Sequence, residues 1–236
     1  MSAWQMKRFW SEVTTPQAPG GFAILLDQKP VRTPARAALV LPTLALARLV
    51  ADEWQAQLDR IDPALMPITR TANAAIDKVT PQKREVAGLL AAYGDTDLLC
   101  YRAETPEALV ARQTAGWDPL LDWAAHALKV RLTPHRGIMH RAQDGAALAR
   151  LAEIVHGLTI FELAAMHDLV SLSGSLVIAM ALARGVAADV ELWKISRIDE
   201  IWQQEQWGRD DEAGAQEARK RRAFLDAAIF LRACQQ

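Results

Sequence analysis

Apolar and polar residues change their spacing part-way along this chain. Before residue 42 the apolar runs are short and turn-forming residues interrupt them. Residues 7–15 (KRFWSEVTT) mix aromatic, β-branched and polar side chains, and PQAPGG at 16–21 is a turn cluster. FAILLD at 22–27 is a short apolar run that ends at Gln28 and Lys29, and two further extended pieces, 31–33 and 38–41, lie either side of Pro34. The pattern predicts three or four antiparallel strands. Pro30, Pro34 and Pro42 fall where such a sheet would have its edges and need no N–H.

From Thr43 onward the period is helical. Thr43 is placed to cap a helix over 44–58, on which Leu44, Ala47, Val50, Ala51, Trp54 and Leu58 share one stripe. Thr80-Pro81 reads as the start of a helix to Tyr93, stopped by Gly94. Thr105-Pro106 repeats that start for a segment to Leu128, with a break expected near Gly116 and Pro119. Residues 130–143 read as a basic, irregular connector with room for a short strand. Asp144 caps a helix to His156, a long buried helix spans 159–183, another covers 188–207 up to Gly208, and a last one covers 215–233. The predicted class is α+β: a small antiparallel β-rich N-terminal domain over 1–60, followed by a larger α-helical domain over 61–236.

The longest apolar stretch, 169–183, is about fifteen residues, against the roughly twenty that a bilayer requires, so it reads as a core helix without membrane insertion. The first ten residues hold no apolar run fit for a signal peptide and do not resemble a long Arg- and Ser-rich transit peptide. Lys plus Arg number 27 against 28 Asp plus Glu, which gives no charge excess toward nucleic acid or an anionic membrane. The two cysteines, Cys100 and Cys234, form no metal-ligand spacing and suit a reducing compartment. The expected location is the cytoplasm. Eight Trp against two Tyr is unusual, and Trp serves both cores and interface anchors.

The chemistry-bearing motifs are sparse. Neither G-x-G-x-x-G nor G-x-x-x-x-G-K-[ST] occurs, and SLSGS at 171–175 lies inside a helical pattern. His135 and His140 are spaced poorly for two ligands on one helical face. His167-Asp168 reads as a buried hydrogen-bonded pair, and Asp95 and Asp97 read as turn and cap residues after Gly94. The competing view is a metal-dependent enzyme of unknown class that gathers His167, Asp168 and Asp95 or Asp97. The basic run Lys220-Arg221-Arg222 reads as a solvated face.

Several runs together carry a resemblance. They are KRFW at 7–10, Gly21-Phe22 with Leu26-Asp27, KPVRTP at 29–34, ADEW at 51–54 and MPITR at 66–70. DTDLLCYR at 95–102, Gln113 with WDP at 117–119, and WQQEQWG at 202–208 complete the set. In this order and spacing they resemble the F1-ATPase assembly chaperone family that binds the alpha subunit, known in mitochondria and alphaproteobacteria. The resemblance implies a β-rich N-terminal domain, a helical C-terminal domain, the unassembled alpha subunit as partner, no cofactor and no catalysis. The lack of a transit-like start suggests a bacterial member. The protein is expected to act as a monomer.

An unassembled ring subunit exposes apolar surface that promotes aggregation, so its chaperone needs anchors with a polar rim. Trp193, Arg197, Glu200, Gln203, Gln204 and Trp207 recur at three- and four-residue steps and line one face of the helix over 188–207, while Ile195, Ile198, Ile201 and Trp202 point elsewhere. The resemblance also draws attention to Asp199 and Glu200 as partner contacts. The competing view makes Arg197 and Glu200 a local ion pair with both Trp partly buried. Trp54 matches the family's Glu-Trp element and also falls on the apolar stripe of its helix, which favours fold support over direct contact. Arg32, Thr69 and Arg70 fit either a contact or a buried network, and the connector over 131–141 is a further possible contributor to binding.

Overall fold

The structure, a computed structural model, describes residues 7–208 and 210–236. The absence of a leader was read partly from residues 1–6, which lie outside the described residues. Six short strands come first: β1 (Val13–Thr14), β2 (Gln17–Ala18), β3 (Gly21–Ala23), β4 (Leu25–Leu26), β5 (Lys29–Pro30) and β6 (Val40–Leu41). They pair antiparallel into two three-stranded sheets ordered β1-β4-β5 and β2-β3-β6, with Val13 opposite Leu26 and Phe22 opposite Leu41. The chain thus breaks into more and shorter strands than its apolar runs suggest, because the turn at 27–28 places Asp27 and Gln28 at positive φ. Asp27 also uses its carboxylate to accept the backbone N–H groups of Ser11 and Glu12, which holds the strand before β1 in place. Pro30 lies in β5, an edge strand, as its missing donor requires.

The helices are α1 (Leu44–Gln55), α2 (Pro67–Ala74), α3 (Lys83–Ala92), α4 (Glu107–Trp123), α5 (Gly145–His156), α6 (Ile160–Ser173), α7 (Leu176–Ala183), α8 (Asp189–Ile195), α9 (Ile198–Trp207) and α10 (Asp211–Cys234). A two-stranded parallel pair joins β7 (Tyr101–Arg102) to β8 (His135–Arg136). The α+β class therefore holds, with the antiparallel strands at the N-terminal end and helices after them. Thr43 and Asp144 cap α1 and α5, accepting the N–H groups of Leu46 and Ala147.

Several predicted spans differ. The helix over 159–183 divides, because Gly174 adopts φ +75 and Ser175 caps α7 by accepting the Ile178 N–H. The helix over 188–207 divides at Ser196 and Arg197, where the Ser196 hydroxyl donates back to Trp193 O at 2.7 Å. By contrast, α4 runs through Gly116 and Pro119 unbroken. Buried Trp117, Leu120 and Leu121 outweigh the one lost backbone bond, and a π turn at Ala124–Leu128 ends the segment. Thr80-Pro81 is not a helix start. It lies in a tight turn between a π turn at Ala75–Val79 and α3, with the Thr80 hydroxyl donating to Ala75 O.

The chain forms two compact units. One holds the described residues up to Lys83 together with Thr159–Ala165 and Ile229–Gln236. The other holds Arg84–Leu158 and Met166–Ala228. In the first, α1 packs on β1, β3 and β6 over a core that includes Trp10, Ile24, Leu39, Leu41, Leu46 and Val50. In the second, α4 packs against α7 and α9 around Trp117, Val177, Ile178 and Trp193. No helix among the described residues is long and apolar enough to cross a membrane.

Candidate partner-binding site

α9 is held to its unit by polar bonds from one side. Gly116 of α4 faces Ile198, and a Cβ there would lie 2.6 Å from Ile198 Cδ1, so the glycine leaves room for the end of that side chain. Trp117 donates its indole N–H to Ile195 O at 2.9 Å. Gln113, itself buried, donates to Asp199 Oδ1 at 2.7 Å and accepts the Ala103 N–H. Asp199 is therefore a link between helices. Arg112 stacks over Trp202, 5.0 Å from the ring, and pairs with Glu205 at 2.9 Å.

At the start of the helix Arg197 is a hub. Its guanidinium lies 5.0 Å over Trp193, donates to Ser173 O and meets Glu200 Oε1 at 2.8 Å. Trp193 is not on the outer face that the repeat suggested. The break before α9 turns it inward, 2% exposed, against Phe224, with its N–H donated to Glu217. What remains outward is Glu200, Gln203, Gln206 and Trp207, together with the paired Glu205, with Gln204 half-buried. Trp207 is 79% exposed, at the end of the helix before Gly208. Arg197 and Glu200 do form the local ion pair, yet the Glu200 side chain stays 49% exposed. Partner contact and local pairing are thus compatible at this carboxylate. The roles of Gln113, Arg112 and Trp202 were not legible one helix at a time, since their partners lie far along the chain.

Elsewhere, Trp54 is half-buried and packs edge-on against Trp10, with ring centroids 5.4 Å apart. Its neighbour Glu53 accepts the N–H groups of Ile68 and Thr69 and the Thr69 hydroxyl, capping the start of α2. The ADEW and MPITR runs are thereby one structural device. Thr69 belongs to that buried network, whereas Arg32 and Arg70 are exposed; Arg32 donates to Arg36 O.

The residues weighed for metal chemistry do other work. Asp97 is fully buried and accepts the N–H groups of Leu99 and Val177. Burial pushes its carboxyl up and those hydrogen bonds oppose the shift. Asp95 accepts the Gln143 N–H and pairs with His140 at 2.9 Å. His167 and Asp168 do hydrogen-bond, at 3.2 Å, but on the surface rather than in the core. Among the described residues no three His, Cys, Asp or Glu side chains gather as a metal site.

Comparison with known proteins points to the same family. The model of the ATP12 chaperone protein family matches residues 7–125. Atp12 from Paracoccus denitrificans is 48% identical, with a TM-score of 0.94 over 97% of this chain and 98% of that one. A point mutant of the same protein, aspartate to lysine, superimposes with the same TM-score over 97% of each chain. A candidate chaperone from Agrobacterium tumefaciens is 44% identical, with a TM-score of 0.92 over 98% of this chain and 87% of that one. The chain belongs to the ATP12 chaperone family.

Proposed function

We propose that this protein assists assembly of the F1 sector of ATP synthase by binding the unassembled alpha subunit and covering the surface meant for its ring neighbour. Membership of the ATP12 family supports the assembly role. The observation that carries the site is Trp207, a large aromatic 79% exposed at the end of a helix whose other side is tied down. An exposed aromatic anchor on the same helix as Glu200, Gln203 and Gln204 has the make-up of an interface hot spot with a polar rim. Asp199, Arg197 and buried Trp193 hold that face in position, and Trp54 supports the fold, while Arg32 and Arg70 offer secondary contacts. The protein acts as a monomer in the cytoplasm, without a cofactor.

The test is capture of separately expressed, unassembled alpha and beta subunits by the wild-type protein, Glu200→Lys and Trp207→Ala. Capture of alpha but not beta, lost in both folded variants, is expected. Capture of alpha undiminished in both variants removes α9 as the site. Capture of neither subunit by the wild type removes the function.

A further inference from the structure

α9 is joined to its neighbours by little apolar burial. Of its ten residues only Ile198 is buried, while Ile201 and Trp202 are half-buried. A wide apolar stripe ordinarily fixes the rotation of a helix about its own axis, and α9 has too narrow a stripe to fix its own. Turning it by one residue, about 100°, would carry Glu200, Gln203 and Trp207 off the outward face together. A directional contact has to hold the setting.

Gln113 of α4 supplies one. Its side chain is 1% exposed, and both ends of the amide are engaged. The carbonyl accepts the Ala103 N–H at 2.8 Å, just after β7, and the amino group donates to Asp199 Oδ1 at 2.7 Å. A buried amide costs free energy unless its partners are in place, so this one favours a single position of α9. The ion pairs on the helix are less exacting. Arg112 and Glu205 are 39% and 46% exposed, which makes their pair a weak constraint. Arg197 and Glu200 are three residues apart, so their pair turns with the helix, and Arg197 reaches Ser173 O through a longer bond of 3.3 Å.

We propose that Gln113 is a positioning residue for alpha-subunit binding: it sets the rotation of α9 and so decides which side chains face the partner. This rests on the alpha-subunit reading above. The bond requires an acceptor oxygen at position 199, not a charge there.

Two variants separate position from charge. Gln113→Met keeps the length of the side chain and loses both bonds, whereas Asp199→Asn keeps the acceptor oxygen and loses the charge. Asp199→Ala removes the acceptor without touching the core side chain, and repeats the test if Gln113→Met is unstable. Thr43→Ala, which loses a helix cap in the other unit, controls for stability alone. Alpha-subunit capture is measured for each. The setting of α9 is read without a partner, from maleimide labelling of Gln203→Cys and Ile201→Cys in each background. With Gln113 intact, the exposed position 203 should label faster than the half-buried 201. Gln113→Met is expected to bring the two rates together and to weaken capture about tenfold, the loss for a competent setting occupied one-tenth of the time. Asp199→Asn and Thr43→Ala are expected to keep both the labelling order and capture. Undiminished capture by Gln113→Met, or an equal loss in Thr43→Ala, overturns the inference. Loss of capture by Asp199→Asn with the labelling order kept also overturns it, because the partner then reads the charge of Asp199 and not the setting of α9. A wild type that captures no alpha subunit removes the alpha-subunit reading and the inference together, a case that this control separates from the others.

Discussion

Asp97 shows how much one side chain can organise. One carboxylate oxygen accepts the Leu99 N–H and the other the Val177 N–H, so it caps the turn that follows it and the start of α7, far along the chain. Removing it leaves two buried donors without a partner. Asp97→Ala is expected to destabilise the fold by about 1–3 kcal/mol for each donor, measured by urea unfolding. Asp97→Asn, which keeps an acceptor oxygen and removes the desolvated charge, should lose clearly less. An alanine variant as stable as the asparagine one would contradict this account. The DTD run marked the position as a turn or cap in the sequence. Its second partner did not show there, because nothing local connects residue 97 to residue 177.

At the scale of elements, most single helices and their caps were legible, and the joints between them were not. Thr43 and Asp144 announce α1 and α5 through local chemistry. The break between α6 and α7 hides inside a continuous apolar stretch, where periodicity carries little signal because α7 is buried on every face. The one-face reading of 188–207 failed at Trp193 for the related reason that a two-residue joint shifts the phase of everything before it. Glu200, Gln203 and Trp207 are nonetheless exposed as their spacing predicts, whereas Gln206 falls outside that repeat. Two tests belong here. Gly116→Val should push Ile198 away, destabilise the protein by about 1–3 kcal/mol in thermal melts and weaken alpha capture along with it. The tie from Asp95 to Gln143 and His140 should depend on acid. The Gln143 N–H chiefly holds the Asp95 carboxyl below its ordinary value of 3.8; burial opposes it, and His140 adds a weaker lowering effect. A lowered carboxyl value stabilises above 3.8, and that contribution disappears as pH falls through the folded value below it. The protection of the Gln143 N–H against hydrogen exchange, taken relative to its intrinsic rate, should therefore fall below that point in the wild type, and be already low at neutral pH in Asp95→Ala.

For the whole molecule, the division into two units carries a practical consequence through its only sulfhydryl groups. Cys234 falls in the unit that contains the β-rich N-terminal residues, and Cys100 falls in the other. Burial, reinforced by a nearby carboxylate in each case, pushes both thiols up to about 12. Cys100 is buried and Cys234 half-buried, so at pH 8 both should react with a maleimide far more slowly in the folded protein than a free thiol does, since the thiolate is the nucleophile. Each cysteine thus keeps time for its own unit. Labelling rates for Cys100→Ser and Cys234→Ser under mild urea would show whether the halves open together or in turn. Equal rates mean a single cooperative opening, and a faster Cys234 means that the β-rich half lets go first.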